Sequence, residues 1–266
     1  MTAQIFALCN QKGGVGKSTT AFQLARAAVL AGRRVLAIDL DPQGNFTSNA
    51  TAEPVDSAQA GIADVLSSRA PETIRDVTVP GVWPGLSVAP TPSYATLVTV
   101  RDELTITQVG REVRLKDALA LVADDYDLIL IDCPPSLDAL TINGLTAAQG
   151  VVVVTEAKKW SLDGLSQLLA TIEGVKSYYN AALRVAGIIV NRHEERTVSA
   201  QQWLADLESV AAERELPLLT PTIPKRVVIS DATESSRGLD EWPTAEATAL
   251  GAIYAAHLAS IEGEPS

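Results

Sequence analysis

Short runs of aliphatic residues alternate with amphipathic segments along nearly the whole chain. Residues 128–131 and 151–154 are apolar at every position, yet each run is only four residues long. Such runs are typical of parallel strands buried on both faces, and they fall far short of the ~20 residues of a membrane span. Because helical patterns separate the runs, the sequence predicts βα units around a mostly parallel sheet.

The boundaries of these elements follow from the same pattern. Strands are predicted near 4–9, 34–39, 86–89, 127–132, 150–155, 184–190 and 219–223, and helices near 17–31, 58–68, 112–123, 138–148, 161–178, 197–214 and 244–261. Segment 69–111 carries five prolines and has the least regular pattern, so we expect an excursion at the edge of the fold. We predict an α/β fold, with a mostly parallel twisted sheet flanked by helices on both faces, as one domain over residues 1–266.

A glycine-rich turn joins the first predicted strand to the first predicted helix. Residues 12–19 read Lys-Gly-Gly-Val-Gly-Lys-Ser-Thr. In a strand–turn–helix context such a segment cradles phosphate, because backbone N–H groups converge there and the helix N-terminus adds partial positive charge. We expect Lys17 to contact the β- and γ-phosphates and the Ser18 hydroxyl to ligate Mg²⁺. The nucleotide-contacting residues are then Gly13, Gly14, Val15, Gly16, Lys17, Ser18 and Thr19. With this turn, the predicted α/β fold is that of a P-loop NTPase.

The turn departs from the common phosphate-binding loop at its start. The common loop has glycine five residues before Gly16, whereas this chain has Gln11 there, followed by Lys12. A lysine so early lies too far back to repeat the role of Lys17, but it can contact a phosphate across a subunit interface. The segment resembles that of the deviant-Walker ATPases, which include ParA partition proteins, MinD and the nitrogenase iron protein. The resemblance implies an ATP-sandwich homodimer in which Lys12 acts on the partner's ATP.

Carboxylates follow two of the predicted strands. Asp39 and Asp41 end one strand and precede a proline, and Asp132 ends another before a double proline. Aspartate and proline are also ordinary turn residues, so the pattern points to a site chiefly because a phosphate-binding loop comes first. Both segments resemble the switch regions of ParA. The resemblance implies that Asp41 orients the attacking water, and that Asp39 and Asp132, with Ser18, hold Mg²⁺, the two carboxylates through water.

Two further positions concern the base. Asn191 ends a late strand, and its amide has both a donor and an acceptor for an adenine edge, although asparagine after a strand is also simply a turn residue. Segment 220–226 resembles the adenine-side loop of the family, with Pro224 against the base. The chain has no Asn/Thr-Lys-x-Asp segment of the kind that binds guanine, so ATP is favoured over GTP.

Charge and cysteine content separate the branches of the family. Neither Cys9 nor Cys133 has the partners that an iron–sulfur cluster needs, and we expect both to be buried thiols. No Lys or Arg follows Arg237, which argues against a basic membrane-binding tail of the MinD type. What remains is a resemblance to short, Soj-like ParA proteins, which implies a cytoplasmic, nucleoid-associated protein that binds non-specific DNA as an ATP dimer, is stimulated by a ParB-type partner and does not bind a membrane.

The expected DNA contact faces an opposing net charge. The chain carries −11 at pH 7, so any DNA binding must come from a local basic patch and must be sensitive to salt. The resemblance points to Lys225 and Arg226, although basic residues are more often simply solvated. Two alternatives stay open: an ATPase that positions a protein cargo, and a MinD-like membrane switch.

Overall fold

The computed structural model describes residues 2–158 and 161–263, and within them the strands form one sheet. The strands are β1 (Gln4–Cys9), β2 (Val35–Asp39), β3 (Val79–Pro80), β4 (Leu86–Ala89), β5 (Leu128–Asp132), β6 (Gly150–Thr155), β7 (Arg184–Val190) and β8 (Leu218–Leu219). Their order across the sheet is β3-β4-β2-β5-β1-β6-β7-β8, and every neighbouring pair is parallel except β3 with β4. The predicted α/β fold with a mostly parallel sheet is confirmed.

Helices cover both faces of this sheet. They are α1 (Lys17–Leu30), α2 (Asn45–Ala50), α3 (Ile62–Leu66), α4 (Ile74–Val77), α5 (Tyr94–Ile106), α6 (Arg114–Ala120), α7 (Ala139–Ala147), α8 (Ser161–Tyr178), α9 (Val198–Glu213), α10 (Val227–Glu234) and α11 (Ala245–Glu262). Side chains of a strand alternate between the faces, so the sheet has two cores. On β1, Ala7 and Cys9 pack into one core, whereas Phe6 and Leu8 pack into the other with α1 and α11.

Segment 69–111 is more regular than predicted. It contains the short α4 and the 13-residue α5, which buries Leu97, Val100 and Leu104. The prolines concealed this helix, but the last two, Pro90 and Pro92, precede it, and the Ser93 hydroxyl accepts a hydrogen bond from Thr96 N at 3.4 Å as its N-cap.

Other predicted boundaries were also wrong. The predicted helix 58–68 is reduced to α3, because Gly61 holds an extended backbone just before it. The predicted strand 219–223 is only β8, since Pro221 has no N–H to continue a ladder. Helices α2 and α10 were not predicted.

The topology places the predicted site residues at one edge of the sheet. Strand β1 lies between β5 and β6, and Leu8 pairs with Asp132 while Asp39 pairs with Asp132 from the other side. In open α/β sheets, ligands bind beyond the carboxyl ends of the strands. Within residues 2–158 and 161–263, no helix combines the length and hydropathy needed to cross a lipid bilayer.

Candidate nucleotide-binding site

The turn between β1 and α1 depends on glycine at two positions. Gly14 has a φ of 76° and Gly16 a φ of 88°, both in the left-handed region that other residues rarely adopt. A Cβ atom on Gly16 would also lie 2.2 Å from Asn191 Nδ2. The left-handed Gly16 caps α1, so the unpaired N–H groups of the first helical turn face the loop.

A cavity of about 560 Å³ opens in front of the turn. Its lining includes Gly13, Gly14, Gly16, Lys17, Ser18, Thr19, Asp41, Gln43, Pro135 and Arg192. Lys17 is only 6% exposed, so its ammonium group is held at the cavity rather than in bulk solvent. Val15 differs from the other loop residues, because its side chain is buried in the core and only its backbone is available to a ligand.

Asp132 is a buried carboxylate beside the Ser18 hydroxyl and the Lys17 ammonium group. It is 1% exposed, and within the described residues neither Oδ1 nor Oδ2 accepts a hydrogen bond of normal length and angle. Burial raises the pKa of Asp132 to about 8, and the charge of Asp39 adds to this rise, while Lys17 and the nearby Ser18 hydroxyl oppose it. A nearby cation would stabilise the charged form of this buried carboxylate.

Asp39 lies behind the cavity and is held by α2. Its Oδ2 accepts hydrogen bonds from Thr47 N at 2.8 Å and Thr47 Oγ1 at 2.7 Å, and its Oδ1 accepts one from Asp41 N at 3.1 Å. Burial raises the pKa of Asp39 to about 7, and the bonds from Thr47 oppose the rise. Thr91 N donates in turn to Thr47 Oγ1 at 2.9 Å. This network fixes the start of the segment that carries Asp41.

Asp41, unlike Asp39, lines the cavity in front of the turn. Its Oδ1 accepts a hydrogen bond from Gln43 N at 3.0 Å. Asp39 and Asp132 occupy paired positions on β2 and β5, so two buried carboxylates lie side by side with raised pKa values. Oxygen ligands next to the Ser18 hydroxyl suit Mg²⁺, which would relieve this repulsion. The donor set therefore fits the predicted metal.

A second cavity of about 240 Å³ adjoins the loop on the other side. Asn191 and Pro224 line it together with Gly16, Thr19 and Arg192. The Asn191 side chain is partly committed already, because Nδ2 donates to Val15 O at 2.8 Å and Oδ1 accepts from Arg192 N at 2.9 Å. One N–H and one lone pair remain for a ligand. The two residues predicted to contact the base are thus brought together beside the phosphate-binding turn.

The Arg192 side chain forms a hydrogen bond to the glycine-rich turn, a role that the sequence did not suggest. It has a left-handed φ of 52°, unusual for a residue other than glycine, and its Nη1 donates to Gly14 O at 2.6 Å. The left-handed backbone turns the side chain back onto the loop. No local pattern in the sequence signals such a long-range contact.

Lys12 does not line the cavity that contains Lys17. Its backbone N–H donates to Asn10 Oδ1 at 2.8 Å, and Asn10 Nδ2 donates to Val154 O at 2.6 Å, which fixes the start of the loop against β6. The Lys12 side chain is 44% exposed and its Nζ lies 3.4 Å from Glu156 Oε2. Glu156 was not predicted as a site residue, because its contact with Lys12 depends on the pairing of β6 with β1.

The two predicted DNA-contacting residues also line the base cavity, and both form ion pairs. Lys225 Nζ forms an ion pair with Glu194 Oε1, and Arg226 Nε contacts Glu246 Oε1 at 2.8 Å. All four side chains are well exposed. Carboxylates therefore neutralise part of this basic surface.

Comparison with known proteins gives concordant matches. The family described as an AAA domain matches residues 3–185. The sporulation initiation inhibitor protein Soj of Bacillus subtilis is 37% identical over 230 residues, which are 86% of this chain and 87% of Soj. The chromosome partitioning protein ParA of Caulobacter vibrioides is 38% identical over 231 residues, 86% of this chain and 83% of that protein. A crystal structure of cobyrinic acid a,c-diamide synthase from Mycobacterium smegmatis with bound ATP analog and magnesium has a TM-score of 0.75 and 34% identity, covering 88% of this chain and 91% of that one.

Proposed function

The chain belongs to the ParA/Soj-type ATPases, and we propose that it works as a nucleotide-switched dimer in the partition of a chromosome or plasmid. It is an ATP hydrolase that uses ATP and Mg²⁺. In the proposed cycle the ATP-bound dimer binds non-specific DNA, and a ParB-type centromere-binding protein triggers hydrolysis and release. The name of the Mycobacterium smegmatis protein denotes a synthase, and that protein bears on this chain only through the nucleotide it binds.

The proposed nucleotide contacts follow the two cavities. The loop amides and Lys17 hold the phosphates, and Asn191 and Pro224 hold the adenine. Ser18 and, through water, Asp39 and Asp132 would hold Mg²⁺, which when bound neutralises charge on the β- and γ-phosphates. The buried Asp132 carboxylate, which lies beside Asp39 and the Ser18 hydroxyl, is the observation that supports the metal assignment.

Hydrolysis needs a water aligned with the γ-phosphate and positive charge near the leaving oxygen. Asp41 lines the cavity and is the residue that we propose to orient this water. Lys17 supplies charge within the subunit. Lys12 supplies it to the partner's nucleotide, and the observation that carries this proposal is its position outside the cavity lined by Lys17.

The proposed DNA-binding surface contains Lys225 and Arg226. Because each pairs with an exposed glutamate, DNA phosphates must displace Glu194 and Glu246. Exposed ion pairs of this kind contribute only ~0.2–1 kcal/mol, so a polyanion can compete for them. We propose that dimerisation doubles the surface and makes binding depend on ATP, within one domain over residues 1–266 and in a cytoplasmic, nucleoid-associated protein.

Binding to non-specific duplex DNA tests this function. The protein is titrated with duplex at several salt concentrations in ATP, ADP and no nucleotide, with Asp41→Ala to hold the ATP state. We expect binding only with ATP, a log–log salt slope of roughly −5 for about six phosphate contacts, and loss of binding in Lys12→Ala and Arg226→Ala. Binding that is absent in every state, or equal in all three, would exclude a DNA-tethered switch.

Two alternative functions give different results in companion assays. An ATPase that positions a protein cargo would also bind DNA but would co-purify with the cargo rather than with a centromere-binding protein. A MinD-like switch would bind anionic liposomes with ATP. The proposed function predicts no liposome binding.

A further inference from the structure

A buried carboxylate holds the early lysine of the phosphate-binding loop within its own subunit. Glu156 directly follows β6, which pairs with β1, and its side chain is 6% exposed. Its Oε2 lies 3.4 Å from Lys12 Nζ and 2.9 Å from Lys158 Nζ. Two ammonium groups therefore share one oxygen atom.

Sharing that oxygen has a physical consequence for Lys12. A buried carboxylate that loses a cation pays a desolvation penalty unless another cation stays close. Lys158 is the nearer of the two ammonium groups and remains at Glu156 when Lys12 leaves. The two ammonium groups lie within 3.4 Å of the same oxygen atom and therefore repel each other. This repulsion weakens the attraction between Glu156 and Lys12.

From this geometry we propose that Glu156 and Lys158 are positioning residues for Lys12. Glu156 retains Lys12 in its own subunit, and Lys158 lowers the cost of transferring Lys12 to the nucleotide of the partner. The proposal rests on the proposed function in one respect, the action of Lys12 across a dimer. Its first part, retention within the subunit, is independent of any dimer.

The first experiment measures retention in the nucleotide-free protein. Lysines are acylated with limiting amine-reactive ester, and mass spectrometry reports the labelling rate at each site. An ammonium group held by a carboxylate reacts slowly, so Glu156→Gln is expected to raise the rate at Lys12 by about two- to fivefold, the range of a partly exposed ion pair. Lys158→Gln is expected to lower the labelling rate at Lys12, because Lys158 then no longer competes with Lys12 for the Glu156 carboxylate.

A matched control separates this effect from general surface charge. Lys176 Nζ pairs with Glu173 Oε1 at 3.2 Å on the exposed face of α8. Lys176→Gln removes the same charge as Lys158→Gln but is expected to leave labelling at Lys12 unchanged. Urea unfolding of each variant confirms that the folded state is retained.

The second experiment measures the transfer. In an Asp41→Ala background with ATP, sedimentation gives the dimer dissociation constant. We expect Glu156→Gln to lower it by about two- to fivefold and Lys158→Gln to raise it by a similar factor. The double variant should match Glu156→Gln alone, because without the carboxylate Lys158 has nothing to compete for. If Glu156→Gln does not fold, Lys158→Gln against Lys176→Gln decides the question.

The outcomes distinguish the two proposals. Unchanged labelling of Lys12 in both variants, or effects no larger than those of Lys176→Gln, would overturn the positioning roles. Altered labelling with an unchanged dissociation constant would overturn the transfer. An ATP dimer that persists in Lys12→Ala would instead contradict the proposed function, whatever the labelling shows.

Discussion

Replacing Thr47 by valine removes one buried hydroxyl and keeps the shape of the side chain. That hydroxyl donates to Asp39 Oδ2 at 2.7 Å and accepts from Thr91 N at 2.9 Å. A hydrogen bond to a charged group contributes about 1.5–3 kcal/mol, and an orphaned buried N–H costs about 1–3 kcal/mol. Because these effects overlap, we expect a loss of about 3 kcal/mol, or roughly 6–12 °C in the melting temperature at the 2–4 °C per kcal/mol usual for a chain of this size.

The measurement is thermal and urea unfolding of Thr47→Val beside Thr51→Val. Thr51 Oγ1 donates only to Thr47 O at 3.0 Å, in the last turn of the same helix, so its loss should cost under about 1 kcal/mol. Thr47→Val should also slow ATP hydrolysis, because Asp39 accepts from Asp41 N and so supports the residue proposed to orient water. Equal destabilisation by the two variants would refute this account of the network.

Three further predictions follow from the site. The pKa of Asp132 is about 8 in the folded protein, above its ordinary value of 3.8, so the folded state binds more protons than the unfolded state between these pH values. The free energy of unfolding without nucleotide or metal should therefore fall as the pH rises from 6 to 8.5. Thermal unfolding checks this, with Mg²⁺–ATP stabilising more at high pH, and a melting temperature that rises with pH would contradict it. Gly16→Ala should weaken ATP binding, measured by calorimetry, by more than tenfold. Gly14→Ala should weaken it less, because Gly14 shares the positive φ but has open space where a Cβ would lie. Equal losses in the two variants would refute the contact with Asn191. Glu246→Gln removes the ion pair of Arg226 and should strengthen DNA binding several-fold at low salt, with a log–log salt slope steeper by about one. Unchanged binding would show that Arg226 is not part of the DNA-binding surface.

Features that depend on local sequence were predictable. The buried strands are apolar at every position, and the turn before α1 carries its glycines where the backbone is left-handed. Asp132 was identifiable because it ends a buried strand after a phosphate-binding loop had been found. Its burial beside Asp39 follows from the strand order, which places β2 and β5 together.

Contacts between distant segments were not predictable. Glu156 contacts Lys12 only because β6 pairs with β1, and Arg192 contacts Gly14 only through a left-handed backbone that its sequence neighbours do not signal. Thr47 lies in α2, a six-residue helix too short to give a periodic pattern. Helix α5 was missed because nearby prolines outweighed the spacing of Leu97, Val100 and Leu104. In each case tertiary packing decides what local propensity leaves open.

The assignment of Lys12 to the nucleotide of a partner subunit is the central claim, and sedimentation equilibrium tests it most directly. Asp41→Ala is measured with ATP and with ADP, alone and combined with Lys12→Ala. We predict twice the monomer mass for Asp41→Ala with ATP, and the monomer mass with ADP or whenever Lys12 is replaced. A dimer that forms equally with ADP, or that persists with ATP when Lys12 is alanine, would contradict the account.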